Sequence, residues 1–454
     1  MTQLIDTPRL GALGASPEIM VFPGDRGWDA ARQAWNLAVD QRPAAVALPT
    51  TVADVVAVVE YARELGLQIV VQGTGHGAVP RALDGTILIN MSEMTGVELD
   101  LEARTARVAA GTQWLDVVEA AMPHGLTALH GSAKDVGVVG YTLGGGIGWL
   151  ARKHGLASSS VLAAELVTAT GDVVRADPET NPELFWAIRG GGGSFGVVTS
   201  IEIALLPVTE TYSGWLMWPA ERSTEVLGAW ADWTRTAPEE VTSIGRLLQV
   251  PPIPQMPEPL RGRQFVVVEA AYLGDEQSGR ELLAPLRALG PELDTFSVSP
   301  AITLTELHRD PPAPSAGTGN AWLLSGLDRE AIDAVVATAA LDGTSPLVSV
   351  EIRHLEGALG RPDPNGGALD RVAAPYVLFA VGVIGPQAPE SIEARLVELG
   401  EAAQPWNAPV AFPNFAGRDT DPRAFYAEGV YDRLVDLKDT LDPDGLFAAN
   451  GRIG

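Results

Sequence analysis

Three glycine-rich runs stand in the first half of the chain: Gly73-Thr74-Gly75-His76-Gly77, Gly137 to Gly148, and Gly191 to Gly196. Consecutive backbone N–H groups in such runs form nests for anions, and bare backbone lets a flat or charged ligand approach closely. Two runs formally satisfy a dinucleotide fingerprint, Gly73–Ala78 as G-x-G-x-x-A and Gly191–Gly196 as G-x-G-x-x-G. That pattern carries meaning only where it leaves a strand and opens a helix whose N–H groups hold a pyrophosphate. The first run instead leads to Pro80 and the strand-like TILIN; the second follows a helical stretch and precedes a strand. Neither is a Rossmann site. Backbone packing alone accounts for any one such loop, but three together point to a large cofactor.

Further polar groups have chemistry to offer. His76 lies inside the first run, where a neutral imidazole is either a nucleophile or a plain hydrogen-bonding side chain. In LVSVEIRHL, Val348, Val350 and Ile352 alternate with Ser349, Glu351 and Arg353, so one face of a strand is apolar and the other charged. Glu351 is the first candidate for a base or a cation-orienting carboxylate, with Arg353 able to hold it ionised; an ordinary exposed ion pair is the alternative. His130, just before Gly131, is a further candidate, whereas His354 is out of phase with Glu351 and reads as structural. Lys134 and Asp135 either face a ligand or pair in a salt bridge. Trp215, Trp218 and Trp322 read as core rather than cavity wall.

Several chemistries are excluded. The chain has no cysteine, so disulfides, thiolate metal sites and cysteinyl cofactor links are absent. Its six histidines show no H-x-x-x-H or H-E-x-x-H spacing, so no metal site is expected, and no Ser-His-Asp arrangement is visible. A net charge of −26, from 31 basic and 57 acidic residues, argues against a nucleic-acid partner. No apolar run reaches the ~18 residues of a membrane span. The N-terminus lacks a basic region followed by an apolar one, so a soluble cytoplasmic protein is expected.

The elements that must position these groups read as an α+β chain of 454 residues, 46% of them apolar. Thr51 or Ala53 caps a helix through residues 54–63, and LQIVVQ, TILINM, GVELD and TARVAAG follow as short strands. ELVTATGDVVRA carries a hairpin signal at Thr170-Gly171-Asp172. Asn181 to Ile188 reads as helix, and FGVVTSIEIALLPV as a strand ending at Pro207. Beyond it WLMWPA, QFVVVEAAYLG, LVSVEIRHL and YVLFAVGVIG are long strands interleaved with helices such as ERSTEVLGAWADWTRT and DREAIDAVVATAAL. The Pro-rich stretches 251–259 and 311–319 read as loops. YDRLVDLKDTL is a closing helix stopped at Asp442-Pro443.

VQGTGHG, LHGSAKDVGVVGYTLGGGIGWLARKHGLASSS and ELFWAIRGGGGSFGVVTSIEIALLP resemble the FAD-linked oxidase family that includes berberine bridge enzyme, in its bacterial nicotine-oxidase branch. PGDRGWDAARQAWN resembles the family's opening motif and DRLVDLKDTLDPDGLFAANGRIG its closing one. The resemblance implies a two-lobed PCMH-type FAD-binding domain over 21–207 and a substrate domain over 208–404. In the latter an antiparallel sheet flanked by helices covers the flavin ring, and a segment over 405–454 returns to the FAD domain. It implies FAD contacts from Gly73, Thr74, Gly75, His76, Gly77, Ser132, Val136, Gly137, Gly140, Tyr141, Gly145, Gly148, Val198, Asn414 and Asn450. His76 falls where relatives bond the flavin's 8α-methyl carbon; the second, cysteinyl link of many relatives falls on Ala133, so a single bond is implied.

The implied activity is oxidation of a small organic molecule at a C–OH or C–N bond, or oxidative ring closure, in natural-product or alkaloid metabolism. Hydride passes to flavin N5 and O2 is reduced to H2O2, by a monomer or homodimer with Glu351, Arg353 and His130 as catalytic candidates. A dehydrogenase with another acceptor and a flavin-sequestering protein without turnover are the alternatives. The chain departs from the family pattern at Gln72 (for Arg), Thr74 (for Gly), Ser159-Ser160 (for Asp-Asn) and Phe412-Pro413-Asn414 (for Tyr-x-Asn). The last removes a phenol base.

Overall fold

The computed structural model describes residues 19–340, 342–385, 389–417, 420–448 and 453. Strands Met20–Val21, Ala45–Ala47, Thr86–Asn90 and Gln68–Gln72 lie side by side in that order, the last three parallel. The helix Val52–Leu65 connects two of them. Its N-cap is Thr51, whose side chain accepts from Asp54 N while the Asp54 carboxylate accepts from Thr51 N, and left-handed Gly66 ends it. Val55, Val58, Val59 and Ala62 are its buried face.

A second sheet is antiparallel throughout, in the order Val97–Asp100, Thr105–Ala109, Val197–Ala204, Val161–Val167, Val173–Ala176. The expected hairpin joins its last two strands. The strand expected to reach Pro207 stops at Ala204, because Leu206 turns away to bridge Thr127.

The third sheet is antiparallel and eight-stranded: Leu293–Asp294, Glu210–Pro219, Gln264–Tyr272, Val241–Gln249, Ser349–His354, Tyr376–Val383, Gly317–Leu324, with Ser297–Pro300 also paired to Glu210–Pro219. One face packs on helices Ser223–Thr234, Arg329–Ala339 and Pro389–Ala403, burying Val350, Ile352, Leu378 and Ala380 against Trp230, Ile332, Val335 and Ile392. The charged alternate residues of Ser349–His354 therefore face the other way.

Two strands escape a sequence reading. Gly317–Leu324 begins inside the 311–319 stretch expected to be loop; its Gly-Thr-Gly-Asn start hides a strand that eight residue pairs zip onto Tyr376–Val383. Val241–Gln249 has no clean alternation, since seven of its nine residues are buried on one face or the other.

The closing helix Val430–Leu441 ends at Asp442, as expected, and the Asp442 carboxylate accepts from Leu446 N and Phe447 N. The chain then runs beside the first sheet: Ile69 N donates to Leu446 O at 2.7 Å and Ala448 N to Ile69 O at 2.9 Å. Asn450 lies outside the described residues.

Candidate active site

A cavity of about 2650 Å³ runs between the glycine runs of the first two sheets and the polar face of the third. Gly73, Thr74, Gly75, His76 and Gly77 line it from the first run; Gly137, Gly140 and Tyr141 line it from the second, with Ser132 and Val136 from the stretch before it and Val198 from the second sheet. Apart from the adjoining backbone of the chain itself, no protein atom lies within 4 Å of where a Cβ would stand at Gly77, Gly140 or Gly192, all on this wall. The bare backbone there faces space for a ligand. Side chains pack elsewhere.

Gly145 and Gly148 correct the sequence expectation, for neither lines the cavity. A Cβ on Gly148 would stand 1.8 Å from the His130 carbonyl oxygen, and one on Gly145 about 3 Å from Leu369 and Phe412. These glycines permit backbone packing. Asn414 is on the wall, but its amide serves the loop: Oδ1 accepts from Gly146 N at 3.0 Å and Nδ2 donates to Tyr141 O at 3.1 Å. It fixes the run from its place on the wall.

His76 is clamped from three sides. Its Nδ1 shares a 2.9 Å hydrogen bond with Thr74 Oγ1, its Nε2 lies 3.5 Å from Asp135 Oδ1, and its ring stacks on Trp35 with centroids 4.1 Å apart. Trp35 Nε1 donates to Asp135 Oδ2 at 2.6 Å. Burial pushes the Asp135 carboxyl up, but the nearby His76 ring and the Trp35 hydrogen bond outweigh it and hold the group below its ordinary value. Lys134 pairs outward with Glu306.

His130 also corrects the expectation. It is buried behind the wall between Trp114 and Gly148 rather than on the cavity, and its Nδ1 donates to Gly131 O. Burial lowers its pKa despite that carbonyl, so it stays neutral. His354 is structural, bonded to Glu356 and stacked on Tyr376. Of the three tryptophans, Trp218 is core, whereas Trp215 and Trp322 line the cavity. Phe412 lines it as well.

The polar face of the third sheet carries a buried charge network. Arg353 grips Glu351 Oε1 through Nε at 2.7 Å and Nη2 at 2.6 Å. His308 Nε2 lies 2.8 Å from Glu351 Oε2, and His308 Nδ1 lies 2.6 Å from Glu269 Oε2. Arg246 Nη1 closes the group on Glu269 Oε1 at 3.0 Å, and Arg246 Nε donates to Ser349 Oγ. Asp310, the most accessible member, accepts from Ser132 Oγ at 2.8 Å and keeps Oδ1 4.0 Å from His308 Nε2. Two arginines and a protonated histidine balance three carboxylates, which is what burial demands.

That network changes the reading of Glu351. Burial alone would raise its carboxyl, but Arg353, His308 and Arg246 hold it far below its usual range. A carboxylate with both oxygens engaged is a weak base and a firm orienting group. Burial pulls His308 down, yet Glu269, then Glu351 and Asp310, lift it to about 9 against the opposing Arg246. His308, Glu269, Arg246 and Asp310 carried no motif that marked them in the sequence.

Comparison with known proteins agrees with this geometry. The FAD binding domain family matches residues 43–177, the part of the chain that holds the first and second glycine runs. The class is therefore FAD-linked oxidoreductase. (R)-6-hydroxynicotine oxidase of Paenarthrobacter nicotinovorans is 32% identical over 323 residues, covering 68% of this chain and 66% of that protein. The crystal structure of 6-hydroxy-D-nicotine oxidase from Arthrobacter nicotinovorans superposes with a TM-score of 0.83 at 26% identity, over 98% of both chains. The berberine-bridge-enzyme-like protein 1 of Physcomitrella patens shares the fold, with a TM-score of 0.85 at 23% identity over 100% of this chain and 99% of the other. The chain belongs to the berberine-bridge-enzyme-like family of FAD-linked oxidases. Among the described residues no helix is long and apolar enough to cross a membrane.

Proposed function

We propose that the protein is an FAD-dependent oxidase of a small organic molecule, acting on a C–OH or C–N bond or closing a ring, with O2 as electron acceptor. The observation that carries this is the single cavity that joins bare glycine backbone on one wall to a closed network of buried charges on the other. FAD, when bound, supplies hydride acceptance at N5 and the return of two electrons to O2. Gly73 to Gly77, Ser132, Val136, Gly137, Gly140, Tyr141 and Val198 would hold it, and His76 would bond it covalently. With Ala133 at the cysteine's place, that bond is single.

The chain's own residues divide the remaining work. Glu351, fixed between Arg353 and His308, orients the polar group of the substrate. Asp310 accepts the O–H or N–H proton, since it lines the cavity, is the most accessible of these carboxylates and is bound to Ser132 through Oδ2, with His308 behind it. Trp215, Trp322 and Phe412 enclose the substrate and exclude water. We divide the chain into an FAD domain over 21–207, a substrate domain over 208–404 and a returning segment over 405–454. The cysteine-free composition suits a reducing cytoplasm, where the protein works as a monomer or homodimer.

The test is a panel of alcohols, amines and phenolic precursors offered to the purified yellow protein under air, with peroxide and flavin bleaching as readouts. An oxidase releases peroxide in step with product. Bleaching without peroxide assigns a dehydrogenase, and flavin that no compound bleaches contradicts an enzyme.

A further inference from the structure

We infer that Asp135 is the positioning residue that drives attachment of the flavin to His76; this rests on the covalent link proposed above. His76 lines the cavity, whereas Asp135 stands behind it, off the wall. The carboxylate is placed by more than its own bonds. Leu115 N donates to Lys134 O at 3.0 Å and Trp114 N to Val136 O at 3.1 Å, so backbone on both sides of Asp135 is anchored to the start of the helix Trp114–Ala121. Trp35 ties the carboxylate to the histidine loop, since its Nε1 donates to Asp135 Oδ2 while its backbone N donates to Thr74 O at 2.9 Å.

With Thr74 on Nδ1 and Trp35 on the ring face, the imidazole keeps one polar neighbour for Nε2, and it is Asp135. A carboxylate 3.5 Å from a histidine nitrogen, in a half-buried setting, is the nearest acceptor for that ring's proton.

Attachment requires such an acceptor. In it a His76 nitrogen forms a C–N bond to the 8α carbon, one C–H bond there breaks, and the N–H bond of His76 breaks. Two electrons pass through the ring system to O2, which leaves with the two protons as H2O2. His76 must attack as the neutral imidazole and becomes positive as it does so. Asp135 stabilises that charge and takes the ring proton. Burial would raise its carboxyl, but the His76 and Trp35 contacts keep it ionised and ready for this task.

Asp135→Asn separates charge from structure, because the amide oxygen still accepts from Trp35. Wild type, D135N and D135E are purified, total FAD per chain is measured by absorbance, and acid-stable flavin by precipitation and by the mass of the His76 peptide. The acid-stable fraction is then followed during incubation with FAD under air. The expected result is unchanged total FAD in D135N with attachment at least ~10-fold slower, in line with loss of a proton acceptor, and substantial recovery in D135E. Attachment at the wild-type rate in D135N overturns the inference while leaving the covalent link intact. Wild type without acid-stable flavin overturns the link and the inference together. Should D135N not hold FAD, Trp35→Phe carries the test: it releases the carboxylate's tether, and slower attachment at full FAD content supports the role, whereas an unchanged rate contradicts it.

Discussion

His308 Nε2 stands 2.8 Å from Glu351 Oε2, and the opposite nitrogen of the same ring is bound to Glu269, so one imidazole bridges two buried carboxylates. The bridge determines how the site responds to pH. Above its pKa of about 9 His308 would leave two anions facing one another in a site with little water.

Stability should report that proton. His308 has a folded pKa raised above the ordinary histidine value of 6.5, so its contribution is complete below pH ~6.5 and is lost as pH climbs through about 9. Thermal melts from pH 6 to 10 should show the wild-type melting temperature falling across that window. His308→Gln should lower the melting temperature at neutral pH and flatten the fall. A wild-type profile level to pH 10 would contradict the bridge.

Glu351→Gln tests the orienting carboxylate. Breaking a buried pair leaves uncompensated charge on Arg353 and His308, a loss of about 3–5 kcal/mol. The variant should therefore melt well below wild type, where an exposed ion pair would leave stability almost unchanged. Its flavin should also be reduced more slowly by substrate under anaerobic conditions, by ~10² for the lost orientation of the substrate. Wild-type melting and wild-type reduction together would make Glu351 a bystander.

Asp310→Asn should leave folding intact, since Asp310 is partly exposed and its bond to Ser132 Oγ survives on the amide oxygen. Flavin reduction should slow by ~10²–10⁴ at neutral pH if Asp310 takes the substrate proton. Stopped-flow reduction at the wild-type rate would remove it from that role.

Much of the cofactor wall was legible because glycine spacing is a local signal. Which glycines face the ligand was not. Gly140 borders open space and Gly148 a carbonyl oxygen, yet the sequence makes them equivalent. The strand Ser349–His354 was readable from its alternation, and so was the side on which Glu351 and Arg353 lie. Their partners were not. His308 sits between a short 3-10 turn and the Pro-rich stretch, Glu269 inside the apolar run QFVVVEAAY, and Arg246 on a strand buried on both faces. None stands at a periodic position that separates a buried ion from a solvated one. Only strand pairing brings Arg246 opposite Glu351 and Ile244 opposite Glu269. His130 misled for the converse reason, as proximity in sequence to Gly131 says nothing about which side of the backbone the ring takes.

Gly148→Ala checks the packing role assigned to that glycine. The added methyl meets backbone, which cannot rotate aside as a side chain would, so a loss of about 1–3 kcal/mol or more is expected. Flavin content should fall with the melting temperature. A variant with native stability would place Gly148 in open space.

The proposed covalent link has its own signature. His76→Ala should release all FAD on acid precipitation while the fold survives, and in wild type the tryptic fragment between Arg63 and Arg81 should carry the whole flavin mass. A second modified fragment would contradict a single bond, since Ala133 has no sulfur to offer.

The oxidase claim is tested most directly without any substrate, by photoreducing the purified protein under argon and mixing it with air-saturated buffer in a stopped-flow instrument. The account predicts full return of the oxidised flavin spectrum, faster than for free reduced FAD, with one H2O2 formed per flavin. A reduced flavin that persists in air, or a protein that carries no flavin, would contradict it.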